Sequence, residues 1–548
     1  MTVQTPSAPV PSVPSEAAPP ASPAPSASSG MARAAGLTVA LVLLSRIAGV
    51  GREIAISHVF GVDADVSVFR AAFGVPDLIA LFIAGGALGS VFVPFFTHYL
   101  QDDKEKEAWE VFGSIITFVA IAVAALVVAM EIGVVPLTQL LNPKFSPVGV
   151  AEAAAYTRIL LPVQWCLMVG SLLMGTLYAR KRFLIPGVGP VLYNVGQIVG
   201  CLAFGKLFGL QAVAWGALVG AFCGSVVLPL VDMIRGGIAW RPAFNFAHPG
   251  VRMMGVLMLP ALLGQSLSQF NMWLTTRFLP DDGRIAALTN AYTLTQLPIG
   301  IFAQAFAIAL LPLISAMAAQ NDWAGFRGAV SDGLRRVFFL TIPASAILCA
   351  LAYPVVRLLY VGGEFKESDV PMVATALVGY GVATFAWSAS AILSRGFHAR
   401  KDTRTPVIIT TPMVLVFCVL AYSYTKNVPN GYLGLALATS FCGIVAMALL
   451  FVTLHRQTEG GLDLRGIGVS TAKITGASLV AGLAAWLTNN AAQPFLPSGK
   501  PGAAIALVVI GGAACALYAV LCYALRVPEL WSIREMFRKP KAVADSPD

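Results

Sequence analysis

"YARKRFLIP" (Tyr178–Pro186) and "HARKDTRTP" (His398–Pro406) stand 220 residues apart and share Ala-Arg-Lys, four further residues and a proline. A basic tripeptide between long apolar stretches marks a loop at a membrane surface. Its recurrence at a fixed offset suggests a duplicated unit. Two more pairs keep nearly the same offset: Pro76 in "VPDLIALF" with Pro298 in "LPIGIFAQ" (222), and Pro94 in "FVPFFTHYL" with Pro312 in "LLPLISAMA" (218). The competing reading is that short basic loops resemble one another simply because they are basic.

Composition sets the solvent. Hydrophobic residues make up 57% of the chain, charged residues 11%, and the mean hydropathy is +0.77, whereas soluble domains are about 25% charged. The apolar runs are long enough for helices that cross about 30 Å of hydrocarbon, and they lack the alternation of barrel strands. The eight cysteines form no C-x-x-C pair, the five histidines show no metal-ligand spacing, and no nucleophile elbow or Walker loop is present. The sequence therefore points to no enzyme, no metal and no ATP motor.

Breaking the chain at charged and Gly/Pro/Asn-rich punctuation gives fourteen spans, near 35–58, 69–98, 108–133, 151–178, 186–205, 209–234, 253–279, 286–317, 336–360, 370–397, 406–425, 430–454, 470–488 and 502–525. The fold class is all-α integral membrane protein, with two six-helix repeats and two C-terminal helices. Six is even, so the second repeat has the orientation of the first, about an axis along the membrane normal. Loops after even-numbered spans hold 18 Lys and Arg and those after odd-numbered spans hold 9, which puts both termini in the cytoplasm. Topology thus accounts for much of the net charge of +9, and nucleic-acid binding is not implied. The expected divisions are a disordered Pro/Ala/Ser-rich tail (1–32), an N-lobe (33–235), a C-lobe (236–456), spans 13 and 14 (457–528) and a basic tail (529–548).

Span 1, "LLSRIAGVGREIAI", carries Arg46, Arg52 and Glu53 in an apolar helix. Such residues cost roughly 2.5–3.5 kcal/mol or more at mid-depth and so face a partner or a hydrated cavity. At 100° per residue, Arg46 and Glu53 fall within about 20° of one face and Arg52 about 120° away. One carboxylate cannot neutralise both arginines along that helix. The surplus cation suits a phosphate-bearing substrate; the alternative is that an arginine snorkels to a headgroup or pairs with another helix. Span 7, "LPALLGQSLSQFNMWLTTRFL", is unusually polar, and Gln269 and Asn271 are its candidate contacts. Asp65 and Arg70 flank the start of span 2 as gate or solvated-loop candidates, and Arg277 ends span 7 as an auxiliary charge or an interfacial anchor.

"SRIAGVGREIAISHVFG", "VFVPFF", "RFLIPGVGPVLYN", "MLPALLGQSLSQFN", "QLPIGIFAQAFAIALLPLIS", "GGEFKESDV" and "RGFHARKDTRTPV" together resemble the MurJ (MviN) lipid II flippases of the multidrug/oligosaccharidyl-lipid/polysaccharide exporter superfamily. The resemblance implies a cationic cavity between two lobes, a lipid-tail groove beside spans 13 and 14, and an undecaprenyl-pyrophosphate-linked muropeptide as substrate. It further implies a bacterial cytoplasmic membrane, coupling to membrane potential, protons or Na+ without a cofactor, and cell-wall synthesis proteins as partners. The family's span 1 arginines fall on Arg46 and Arg52. Its span 2 arginines fall on Ala80 and Leu81 and its span 8 arginine near Thr293, so the chain departs from the pattern there. The resemblance also leaves open a same-fold flippase for another polyprenyl-linked glycan, or a transport-incompetent membrane scaffold.

Overall fold

The computed structural model describes residues 29–83, 104–238, 241–245, 270–280, 282–427 and 431–531, with residues 92, 93, 96, 97, 99 and 251. Among them the regular structure is helical, joined by short turns and loops, apart from one isolated bridge between Gly362 and Phe365. Ten helices are long and apolar enough to cross a membrane: Glu105–Ile132, Pro147–Ala179, Leu184–Phe208, Leu210–Arg235, Arg284–Ala319, Trp323–Ala350, Arg404–Lys426, Gly431–Gln457, Leu464–Phe495 and Lys500–Ala524. An eleventh span is the pair Glu367–Gly381 and Thr384–Ala399, bent by 41°. These correspond to spans 3–6 and 8–14.

Span 1 is one helix, Ser29–Phe60, and enters the segment read from sequence as tail by four residues. It carries Arg33, Arg46, Arg52 and Glu53. Span 2 begins as Ala64–Ala71 and Gly74–Ile83, and span 7 ends as Phe270–Arg277; their remaining parts, like most of both tails, lie outside the described residues. Fourteen is therefore not reached by counting complete helices among the described residues.

The opening motif is a helix stop. After span 4, Lys181 adopts φ 60° and the Arg182 N–H donates to Leu177 O at 2.8 Å. After span 10, Lys401 adopts φ 62° and the Asp402 N–H donates to Phe397 O at 3.0 Å. Both are left-handed caps in which the second residue beyond the helix satisfies a carbonyl of its last turn, with proline shortly after. The arginines match as well: Arg180 lies over the Trp109 ring at 5.3 Å and Arg400 over Trp323 at 5.8 Å. Each loop thus pins the start of the third helix of its own lobe. Arg180 also pairs with Glu105, and Arg182 with Asp232 at 2.9 Å.

Polar side chains in apolar helices bond back to their own backbone, as Thr138 does to Val134 O (2.8 Å) and Ser478 to Ile474 O (2.7 Å). Spans 5 and 6 approach to backbone contact. A Cβ on Gly196 would lie 2.3 Å from Gly216 O, and one on Gly216 would lie 2.3 Å from Gly196 O. Small residues permit that approach where lipid supplies no hydrophobic drive for association. All eight cysteines are free, and Cys223 and Cys515 are exposed. Both lie on membrane spans, whose exposed faces meet lipid and therefore tolerate an apolar thiol.

Candidate functional site

Span 1 presents its charges towards spans 2, 5 and 8. Glu53 is fully buried, and each of its carboxylate oxygens accepts from a different arginine. Arg52 donates from Nε to Oε1 at 3.0 Å, and Arg70 from span 2 reaches Oε2. Arg52 Nη1 also donates to Asn194 Oδ1 of span 5 at 3.1 Å, and Asn194 is itself held by donating to Pro190 O at 3.0 Å. The Arg52 guanidinium is therefore fixed from two helices. Tyr193 and Tyr360 lie within electrostatic range of this group.

Arg46, two turns earlier, is exposed and forms no ion pair with any carboxylate among the described residues. Its stem lies against span 8 where Pro298 is followed by a widened helical turn, Ile299–Gln304. A Cβ on Gly300 would come within 3.2 Å of Arg46 Cγ. Glycine here lets the arginine lie flat on the helix. Arg46, Arg52, Arg70 and Glu53 leave a charge of +2 inside a membrane domain, a setting that binds anions through guanidinium groups.

The structure brings together part of the set expected from sequence. Arg52, Glu53 and Arg70 form one cluster. The helical wheel, which set Glu53 nearer Arg46, is overridden because the long Arg52 side chain folds back onto its neighbour. Asp65 is exposed and separated from Arg70, which turns inward. Arg277 is exposed and donates to Leu140 O across the loops, so it does not enter the site. Thr293 is half-buried and bonds back to Thr289 O at 2.9 Å. Gln269 and the Asn271 side chain lie outside the described residues.

Two polar residues escaped sequence reasoning. Asn194 sits inside the quoted stretch "RFLIPGVGPVLYN", and a lone amide in an apolar span was the available signal. Asp77 follows Pro76 in span 2, half-buried, with Gln164 Nε2 at 3.5 Å from its Oδ1 and no ion pair among the described residues.

Contacts between the halves gather at the end where span 1 gives way to span 2. Asn290 Nδ2 donates to Ser57 Oγ at 2.8 Å, the Ala286 N–H to Ser67 Oγ at 3.1 Å and the Glu364 N–H to His58 O at 2.9 Å. Lys144 Nζ donates to Phe278 O at 2.7 Å. These bonds join spans 1, 2 and 3–4 to spans 7, 8 and the 362–365 loop, closing that end.

The family model for "Lipid II flippase MurJ" matches residues 56–500. A probable lipid II flippase MurJ from Vibrio cholerae is 28% identical over 83% of this chain and 90% of that relative. The lipid II flippase MurJ of Burkholderia cenocepacia is also 28% identical, with the same coverage. Among solved structures, a lipid II flippase MurJ in an inward closed conformation superposes with TM-score 0.73 at 21% identity, covering 89% of this chain and 99% of that one. An inward-facing MATE multidrug transporter of the MOP superfamily superposes at 0.62, with 18% identity over 78% and 98% of the two chains. The likeness to these structures is one of fold, while the family match spans most of the chain. This multi-pass membrane protein belongs to the lipid II flippase MurJ family.

Proposed function

We propose that the protein moves lipid II, the undecaprenyl-pyrophosphate-linked muropeptide, from the inner to the outer leaflet of the bacterial cytoplasmic membrane by alternating access. The observation that carries this reading is the surplus charge: Arg46 pairs with no carboxylate among the described residues, and Arg52 and Arg70 share the single carboxylate of Glu53, all on membrane helices. The pyrophosphate is gripped by these guanidinium groups while the polyprenyl tail stays in lipid, in a groove beside spans 13 and 14. With both termini cytoplasmic, the closed end is the outer end, and the site is loaded from the cytoplasm. The N-lobe (33–235) and C-lobe (236–456) then rock about the site. Membrane potential assists, since carrying one charge across 100 mV is worth about 2.3 kcal/mol; proton or Na+ coupling and cell-wall synthesis partners belong to the same reading.

A second reading rests on Ala80, Leu81 and Thr293, which leave spans 2 and 8 without the family's cations. A site with fewer cations suits a different polyprenyl-pyrophosphate-linked glycan, or a scaffold that transports nothing. Growth rescue in bacteria depleted of their own lipid II flippase separates the readings. Wild type is expected to restore growth, and Arg46→Ala and Arg52→Ala at matched membrane levels are not. An inserted wild type that fails to rescue shifts the assignment to the other glycan or the scaffold.

A further inference from the structure

Glu53 is adjacent to Arg52 and fully buried, so an isolated Arg52–Glu53 pair would cancel the charge that a pyrophosphate needs. The structure supplies a third member. Arg70, itself 8% exposed, reaches from span 2 to the second carboxylate oxygen of Glu53. Its Nε has no hydrogen-bond partner among the described residues, and the carboxylate is the anchor that holds this guanidinium inside the membrane.

We infer that Arg70 is a positioning residue for the anion site: it neutralises Glu53 so that Arg52, steadied by Asn194, keeps its charge available to the pyrophosphate. The inference rests on the proposed substrate class and deepens it. It explains how a chain with Ala80 and Leu81 at the family's cationic positions in span 2 still draws on span 2 for positive charge, from a residue about three turns nearer its start. Arg70 need not touch the substrate. Its effect passes through Glu53, and this gives it a signature that a purely structural residue lacks.

The test is binding of undecaprenyl pyrophosphate to the full-length protein in lipid nanodiscs, for wild type, Arg70→Gln, Glu53→Gln and the double variant. Arg70→Gln strands a carboxylate on Arg52 and is expected to weaken binding by about tenfold or more, the equivalent of one well-placed charge. Removing Arg70 and Glu53 together keeps the cluster's net charge at +1 and leaves no carboxylate on Arg52, so the double variant is expected to recover most of that loss. Glu53→Gln alone is expected to bind more tightly than wild type. A double variant no better than Arg70→Gln, or an Arg70→Gln that binds like wild type, overturns the inference and leaves the function standing. If Arg70→Gln fails to insert, Glu53→Gln decides, and unchanged or weaker binding counts against the inference. Wild type that binds no pyrophosphate overturns the proposed function and this inference with it.

Discussion

At the scale of single residues, the site depends on how one guanidinium is oriented. Arg52 meets Glu53 through Nε and Asn194 through Nη1, at 3.0 and 3.1 Å, a forked geometry that an ammonium cannot reproduce. Arg52→Lys is therefore expected to fail in growth rescue although it keeps the charge. Asn194→Ala is expected to weaken pyrophosphate binding by about tenfold, consistent with about 1.5 kcal/mol, the low end of the range for a hydrogen bond to a charged group. Titration of pyrophosphate against both variants checks this. Outside the membrane, Asp402 caps span 11. Burial pushes its pKa up, but the Thr405 hydroxyl, the Thr405 and Arg404 N–H groups and nearby Arg400 outweigh that and hold the carboxyl below its ordinary value. A folded pKa below the unfolded one means stability present above about pH 4 and lost as pH falls through the folded value. Asp402→Ala should cost about 1 kcal/mol in neutral thermal melts, and its gap from wild type should shrink in melts at acid pH.

At the scale of elements, the tightest restraint is the glycine seam between spans 5 and 6. Gly216→Ala places a methyl 2.3 Å from Gly196 O, so the spans must separate, at a cost of roughly 1–3 kcal/mol. A lower melting temperature with weaker Arg52-dependent binding would follow, because Asn194 rides on span 5. The elbows behave oppositely. Lys181 and Lys401 hold left-handed backbone that glycine adopts without a Cβ penalty, so Lys181→Gly should raise thermal stability slightly. The elbows were legible in the sequence because a cap is written locally, in a basic run and a proline. The Arg52–Glu53–Arg70 cluster was legible only as separate charges, since a helical wheel measures Cβ directions and cannot follow a long side chain that folds back on its neighbour. Asp65 and Arg70 are close in sequence, but Asp65 sits in the exposed first turn of span 2, whereas the helix is buried on all sides from Val66 onward. Span 7 read as polar from sequence, and its middle lies outside the described residues.

At the scale of the whole molecule, spans 1 and 8 meet at both the site and the closed end. Arg46 lies on Gly300, while Ser57 accepts from Asn290 further along the same two helices. Opening that end requires the Asn290–Ser57, Ala286–Ser67 and Glu364–His58 bonds to break together. A Ser57→Cys/Asn290→Cys pair, oxidised in membranes, should therefore block growth rescue, and reduction should restore it. Unimpeded rescue with the crosslink formed would show that this end does not gate transport. The central claim is tested most directly in vesicles that contain lipid II and the purified protein. Lipid II reaching the opposite leaflet is measured with and without an imposed potential, for wild type and Arg52→Ala. The expected result is transfer by wild type, quickened by potential and lost in Arg52→Ala; transfer no faster than in protein-free vesicles would contradict the account.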